Sequence, residues 1–100
     1  MALEIKENKG IFKVIGKVSS QNLGALKIYF ESALENVDEM VVSLEGVTEM
    51  DSSSALFFER FYLQSVKQNK VVVLVGEENK EIANIMDITN TNYILSPDRV

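Results

Sequence analysis

The stretch Met50-Asp51-Ser52-Ser53-Ser54-Ala55-Leu56 sets three hydroxyls beside a carboxylate. It stands where an apolar run gives way to helical periodicity. Two kinds of chemistry fit such a place. The side chain of Asp51, Ser52 or Ser53 caps a helix by accepting from its free backbone N–H groups. Alternatively, a serine there takes a phosphate, because a helix N-terminus presents unpaired donors and a partial positive charge. The added charge of about -1.5 to -2 would be felt by whatever docks on that surface.

Other reactive groupings are weaker. Gly16-Lys17-Val18-Ser19-Ser20 lacks the spacing and residue order of a P-loop, so capping is the expected role of Ser19 and Ser20. Asp38, Glu39, Glu45, Glu49 and Asp51 are acidic, but no subset has ligand-loop spacing around a glycine, and a solvated acidic face is expected. The chain has no histidine and no cysteine. That removes the usual general base, the commonest metal ligand and all thiolate chemistry. A small hydrolase using Ser52 with Asp51 would lack a base to activate the serine. Neither enzymatic activity nor a cofactor or metal is expected.

The elements that must position these residues follow from periodicity. Leu3 to Glu7 and Ile11 to Ile15 alternate apolar and polar, and Asn8-Lys9-Gly10 between them predicts a β-hairpin. Gly16 is expected to end the second strand, with Ser19, Ser20 and Asn22 as caps for a following helix. From Leu23 to Val37 the residues Leu23, Leu26, Phe30, Ala33, Leu34 and Val37 form one stripe opposite Lys27, Glu31 and Glu35. Met40 to Leu44 is a β-branched run of the kind found in parallel sheets. Gly46 is expected to end it, and a loop leads to Asp51.

Ser53 to Gln68 predicts a second helix whose inner face holds Ala55, Phe58, Phe61, Tyr62, Ser65 and Val66. One stripe cannot hide Leu56, Phe57 and Phe58 together, so Leu56 or Phe57 is expected to be partly exposed. Val71 to Val75, closed by Gly76, is the most emphatic strand. Glu77 to Asn90 predicts a third helix with an acidic start and Ile82, Ile85 and Met86 inside. Tyr93 to Leu95 is expected as a last short strand, stopped by Pro97. The order β-β-α-β-α-β-α-β implies an α/β fold with a mixed, mostly parallel sheet opened by a hairpin. No repeat or linker interrupts it, and residues 1–100 are expected to form a single domain.

Charge and composition narrow the partners. Ten basic residues face fifteen acidic ones for a net charge of -5. Nucleic acid and anionic membrane surfaces call for clustered cations, which this chain lacks. No apolar run approaches the roughly 20 residues of a membrane helix, and the Met-Ala-Leu-Glu start, with no basic stretch leading into an apolar one, sets the expectation of no signal peptide. A cytoplasmic monomer is expected.

With these residues in place, the chain resembles the STAS domain family, and in particular its single-domain anti-sigma factor antagonists. The resemblance covers nearly the whole length. It is carried by the Ile15-Gly16-Lys17-Val18 strand exit, by Val42-Ser43-Leu44 leading through Val47 to Met50-Asp51-Ser52-Ser53, and by Val73-Leu74-Val75-Gly76. Ser54, Ala55 and Leu56 replace the small-Leu-small residues usual after the second serine. Ser19 stands where many members carry an acidic residue, and Asn69-Lys70 replaces glycines before the fourth strand. The resemblance implies that Ser52 is phosphorylated by a partner that is both anti-sigma factor and serine kinase, and that phosphorylation ends binding. It places the partner surface at Asp51, Ser53, Ser54 and Leu56, with Ser19 and Ser20 alongside. The alternative is an adaptor, without phosphorylation, for a transport ATPase or a stress-signalling complex.

Overall fold

The structure, a computed structural model, describes residues 3–96. Strands β1 (Glu4–Asn8) and β2 (Ile11–Val18) form the hairpin. Its two-residue loop has Lys9 at φ 54° and Gly10 at φ 84°, the signs a type I′ turn requires. Helix α1 (Leu23–Glu35) crosses to β3 (Glu39–Met50), α2 (Ser52–Lys67) crosses to β4 (Val71–Val75), and α3 (Lys80–Ile88) follows. The sheet order is β1-β2-β3-β4, with β2, β3 and β4 parallel and β1 antiparallel to β2.

Alternation along the strands assigns the faces. Phe12, Val14, Val18, Met40, Val42, Leu44, Val72 and Leu74 are buried and join Leu26, Phe30, Ala55, Phe58, Ile82 and Met86 in one core. The three helices therefore cover the same face. The opposite face shows Ile11, Lys13, Val41, Ser43, Val71 and Val73, exposed or half-buried. The α1 stripe is as expected, with Leu26, Phe30 and Leu34 innermost. On α2, Ala55, Phe58, Phe61 and Ser65 are buried, whereas Val66 is 56% exposed at the edge of the apolar arc.

Several boundaries differ from the sequence expectation. Neither Gly16 nor Gly46 ends a strand. Gly16 lies within β2 at φ 104°, beside a register shift in which β3 carries the extra residue, and β2 keeps its alternation through to buried Val18. Gly46 lies within β3, where a Cβ would stand 3.1 Å from Ile15 Cγ1 and 3.3 Å from the Val14 carbonyl oxygen. The close approach of β2, not a chain reversal, requires that glycine. Beyond it β3 runs on to Met50, where a loop was expected.

Helix α3 begins three residues later than its acidic prelude suggests. Asn79 is its N-cap and accepts from the Glu81 amide at 3.0 Å, leaving Glu77 and Glu78 in the preceding turn. The expected last strand is reduced to a 3-10 turn over Asn92–Ile94 and a single parallel bridge from Leu95 to Leu74. The expected stop at Pro97 lies outside the described residues.

Asn69-Lys70 proves to be a functional substitute for glycine. Asn69 takes the left-handed conformation at φ 62° after α2, which asparagine tolerates. Lys70 then donates from Nζ to the carbonyls of Leu34 and Val37, 2.8 Å each, closing the C-terminal end of α1.

Candidate functional site

The carboxyl ends of β2 and β3 lie side by side, with Val18 opposite Met50. The chain turns from each into a helix, so the β2–α1 loop and the start of α2 are neighbours. Asp51 joins them. It is the N-cap of α2, in extended conformation at φ -95° and ψ 173°. Its Oδ1 accepts from the Ser54 amide at 2.9 Å and from the Ser54 hydroxyl at 2.6 Å. Its Oδ2 accepts from the Ser20 amide at 3.1 Å. One carboxylate thus caps a helix and pins a loop 31 positions away in sequence.

These donors also set its charge state. The Ser54 hydroxyl, ahead of a smaller opposing desolvation, holds the Asp51 carboxyl below its ordinary value, and the Ser54 and Ser20 amides add to the effect. Asp51 is a fixed anion at neutral pH.

Beside it lies an open groove of about 530 Å³ lined in part by Lys17, Ser19, Ser20, Glu49, Asp51 and Glu81. Lys17 Nζ is 3.4 Å from Glu49 Oε1, an exposed pair. That leaves the groove negative and poorly suited to a phosphate ligand. Among the described residues no cluster of three or more carboxylates converges well enough to hold a metal ion.

The predicted residues separate into groups. Ser52 is exposed and occupies the first helical position of α2; Ser53, also exposed, is the second. Their amides have no intrahelical acceptor, as at any helix start. Leu56 is 40% exposed and Phe57 half-buried, as the crowding of three large residues predicts. Ser19 and Ser20 flank the groove. Neither caps α1 through its side chain, and Asn22 turns back instead, accepting from the Ser19 amide at 3.0 Å and donating to the Lys17 carbonyl at 3.1 Å. Ser54 is a correction. It is fully buried, its hydroxyl consumed by Asp51, so it offers no surface to a partner.

Asn79 is a positioning residue that periodicity did not single out. Its Nδ2 donates to the carbonyls of Leu44 and Val47 at 3.0 and 2.9 Å, while Oδ1 caps α3. It fastens α3 to the irregular part of β3, near the groove that Glu81 helps line. The local signal was present, since asparagine two residues before a glutamate is an ordinary helix start.

The STAS domain family model matches residues 1–96. The chain belongs to the STAS domain family. Among solved structures, this STAS domain is similar to the anti-sigma factor antagonist SpoIIAA in its unphosphorylated form. The TM-score is 0.74 at 10% identity, covering 95% of this chain and 86% of that one. An anti-sigma factor antagonist from Mycobacterium paratuberculosis matches with TM-score 0.70 and 15% identity, over 94% and 81% of the two chains. An uncharacterised Shewanella loihica protein with a SpoIIAA-like fold gives 0.52 and 21%, over 83% and 75%. At such identities the likeness establishes the fold of this STAS domain. No curated protein sequence matches it. Among the described residues no helix is long and apolar enough to cross a membrane.

Proposed function

We propose that this STAS domain is an anti-sigma factor antagonist, acting by protein binding rather than catalysis and switched at Ser52. One observation carries the reading. The Ser52 hydroxyl is exposed at the first position of α2, while the neighbouring Asp51 carboxylate is engaged in the cap. A kinase can reach that hydroxyl without unfolding the turn, and the cap does not depend on it. The similarity in fold to anti-sigma factor antagonists supports the same role.

The energetics suit a switch. Docking a serine hydroxyl against a partner is cheap, whereas an unpaired buried dianion costs several kcal/mol. A penalty of about 4 kcal/mol weakens binding roughly a thousandfold. The partner is an anti-sigma factor that is itself a serine kinase, and the domain meets it as a single copy in the cytoplasm.

The test combines peptide mapping with binding. Native protein should carry one phosphate on the Met50–Arg60 segment, at Ser52. Ser52→Ala should bind the kinase but resist phosphorylation, and Ser52→Asp should bind poorly. Equal binding by both variants and wild type defeats the switch. The exposed side chain of Leu56 beside half-buried Phe57 favours a second reading, an adaptor of a transport ATPase or stress-signalling complex in which Ser52 is never modified. Co-purification with such an ATPase, and no phosphopeptide containing Ser52, would select it.

A further inference from the structure

The facing edges of α1 and α2 enclose a groove distinct from the one beside Asp51. Its upper part, about 390 Å³, is lined by Leu23, Gly24 and Lys27 of α1 and by Leu56, Phe57 and Arg60 of α2, with Ser53 at the end nearest the α2 cap. The next part shares Lys27, Phe57 and Arg60 and adds Glu31. The third continues past Glu31 to Glu35. These positions recur three and four residues apart on each helix, so the trough follows both axes. It is apolar and cationic above, and acidic below.

Two observations bear on what fills it. In a protein of net charge -5, Lys27 and Arg60 face this trough, and neither is in a salt bridge with any described residue. Glu31, one turn below Lys27, does not come within ion-pair distance of it. Gly24 is the second observation. A Cβ there would meet nothing within 4 Å, and its φ is not in the left-handed region. Neither conformation nor internal packing requires glycine in this helix, where alanine is the better helix former. Its effect is to keep one wall of the trough low beside Leu23 and Leu56.

We infer that the α1–α2 trough receives an amphipathic acidic segment of a protein partner. Apolar side chains of that segment lie on Leu23, Leu56 and Phe57, and its carboxylates pair with Lys27 and Arg60. The occupant is oriented, because its acidic end must avoid Glu31 and Glu35. The inference rests on the protein-binding reading above and supplies the partner's chemistry. It also connects the trough to the switch, since Ser53 lines the upper end and Ser52 precedes it. A phosphate on Ser52 would place about two negative charges beside the mouth, against an acidic occupant.

The probe is a pair of amphipathic helical peptides with the same leucine face, one flanked by Glu and the other by Lys. They are titrated into 15N-labelled full-length protein at low ionic strength, where exposed charge pairs are least screened. The Glu peptide should bind at least about tenfold more tightly than the Lys peptide, with shift changes centred on Gly24, Lys27, Phe57 and Arg60. Lys27→Glu/Arg60→Glu should reverse the preference. Gly24→Leu should leave the fold intact by circular dichroism and weaken both peptides. Absence of binding, equal affinities, or shifts centred elsewhere overturns the inference. If it fails while Ser52→Asp still blocks the kinase, the switch stands and only the trough is dismissed.

Discussion

Asp51→Ala removes three hydrogen bonds at once, and the fate of each donor sets the loss. The capping bond from the Ser54 amide is worth about 0.5–2 kcal/mol. The Ser54 hydroxyl is fully buried, so losing its acceptor strands a donor away from water, at about 1–3 kcal/mol. The Ser20 amide is at the surface and finds water instead. The expected destabilisation is about 2–4 kcal/mol, a fall in Tm of roughly 10–20 °C for a domain of this size. Ser54→Ala removes the hydroxyl together with its need for a partner and should cost about 0.5–1.5 kcal/mol. The double variant should then lose less than the sum of the singles, by about 1 kcal/mol. Urea unfolding followed by circular dichroism, with unchanged m, measures all three. The pH dependence is a second readout. The folded Asp51 carboxyl lies below its ordinary value of 3.8. The cap's contribution is therefore complete well above that value and disappears as pH falls through the folded value. Asp51→Ala should flatten the acid limb of the stability curve. A loss under about 0.5 kcal/mol, or strict additivity with Ser54→Ala, would refute the account of a shared buried network.

Gly46→Ala should destabilise by about 1–3 kcal/mol in urea melts, because the new methyl presses on the Ile15 side chain and the Val14 carbonyl oxygen of β2. Asn79→Ala should cost about 2–4 kcal/mol and raise amide exchange first in α3, since it loses both the cap and the tie to β3. Lys70→Met strips two carbonyls of their donor and should cost about 1–3 kcal/mol, with fraying confined to the last turn of α1. Tyr93 donates its hydroxyl to Glu59 Oε2 at 2.5 Å, a bond that, with the nearby carboxylate charge, raises the phenol above its ordinary value of 10.0. Ultraviolet titration should find the Tyr93 phenol ionising above its ordinary value, and Glu59→Gln should lower it.

What the sequence discloses is what depends on neighbours a few residues away. The hairpin turn, the α1 stripe and a cap at the Asp51-Ser52 turn are local physics, and each stands near where periodicity or capping chemistry puts it. Gly16 and Gly46 were misleading because glycine marks a chain reversal, a bulge and a close approach with the same letter. Only the position of the adjacent strand tells them apart. The late start of α3 follows from Asn79, whose capping signal was overshadowed by the acidic pair before it. Within the site, exposure at Leu56 followed from crowding on one helix. The burial of Ser54 and the bond from Ser20 to Asp51 depend on where β2 and β3 end together, which no local pattern encodes.

Strand order along the sheet is the same as strand order along the chain. Each strand therefore docks on one that was synthesised before it, and no gap must be held open for a later insertion. The hairpin forms by itself in about microseconds. After that, β3 and β4 each close a loop no longer than one crossover, which keeps the entropy of closure small. A nascent chain can thus build its core outward from β2 as it emerges, exposing one growing edge at a time. Among folds with a parallel sheet, which are slowed by distant pairings, this ordering favours rapid assembly with few opportunities for misregistered strands.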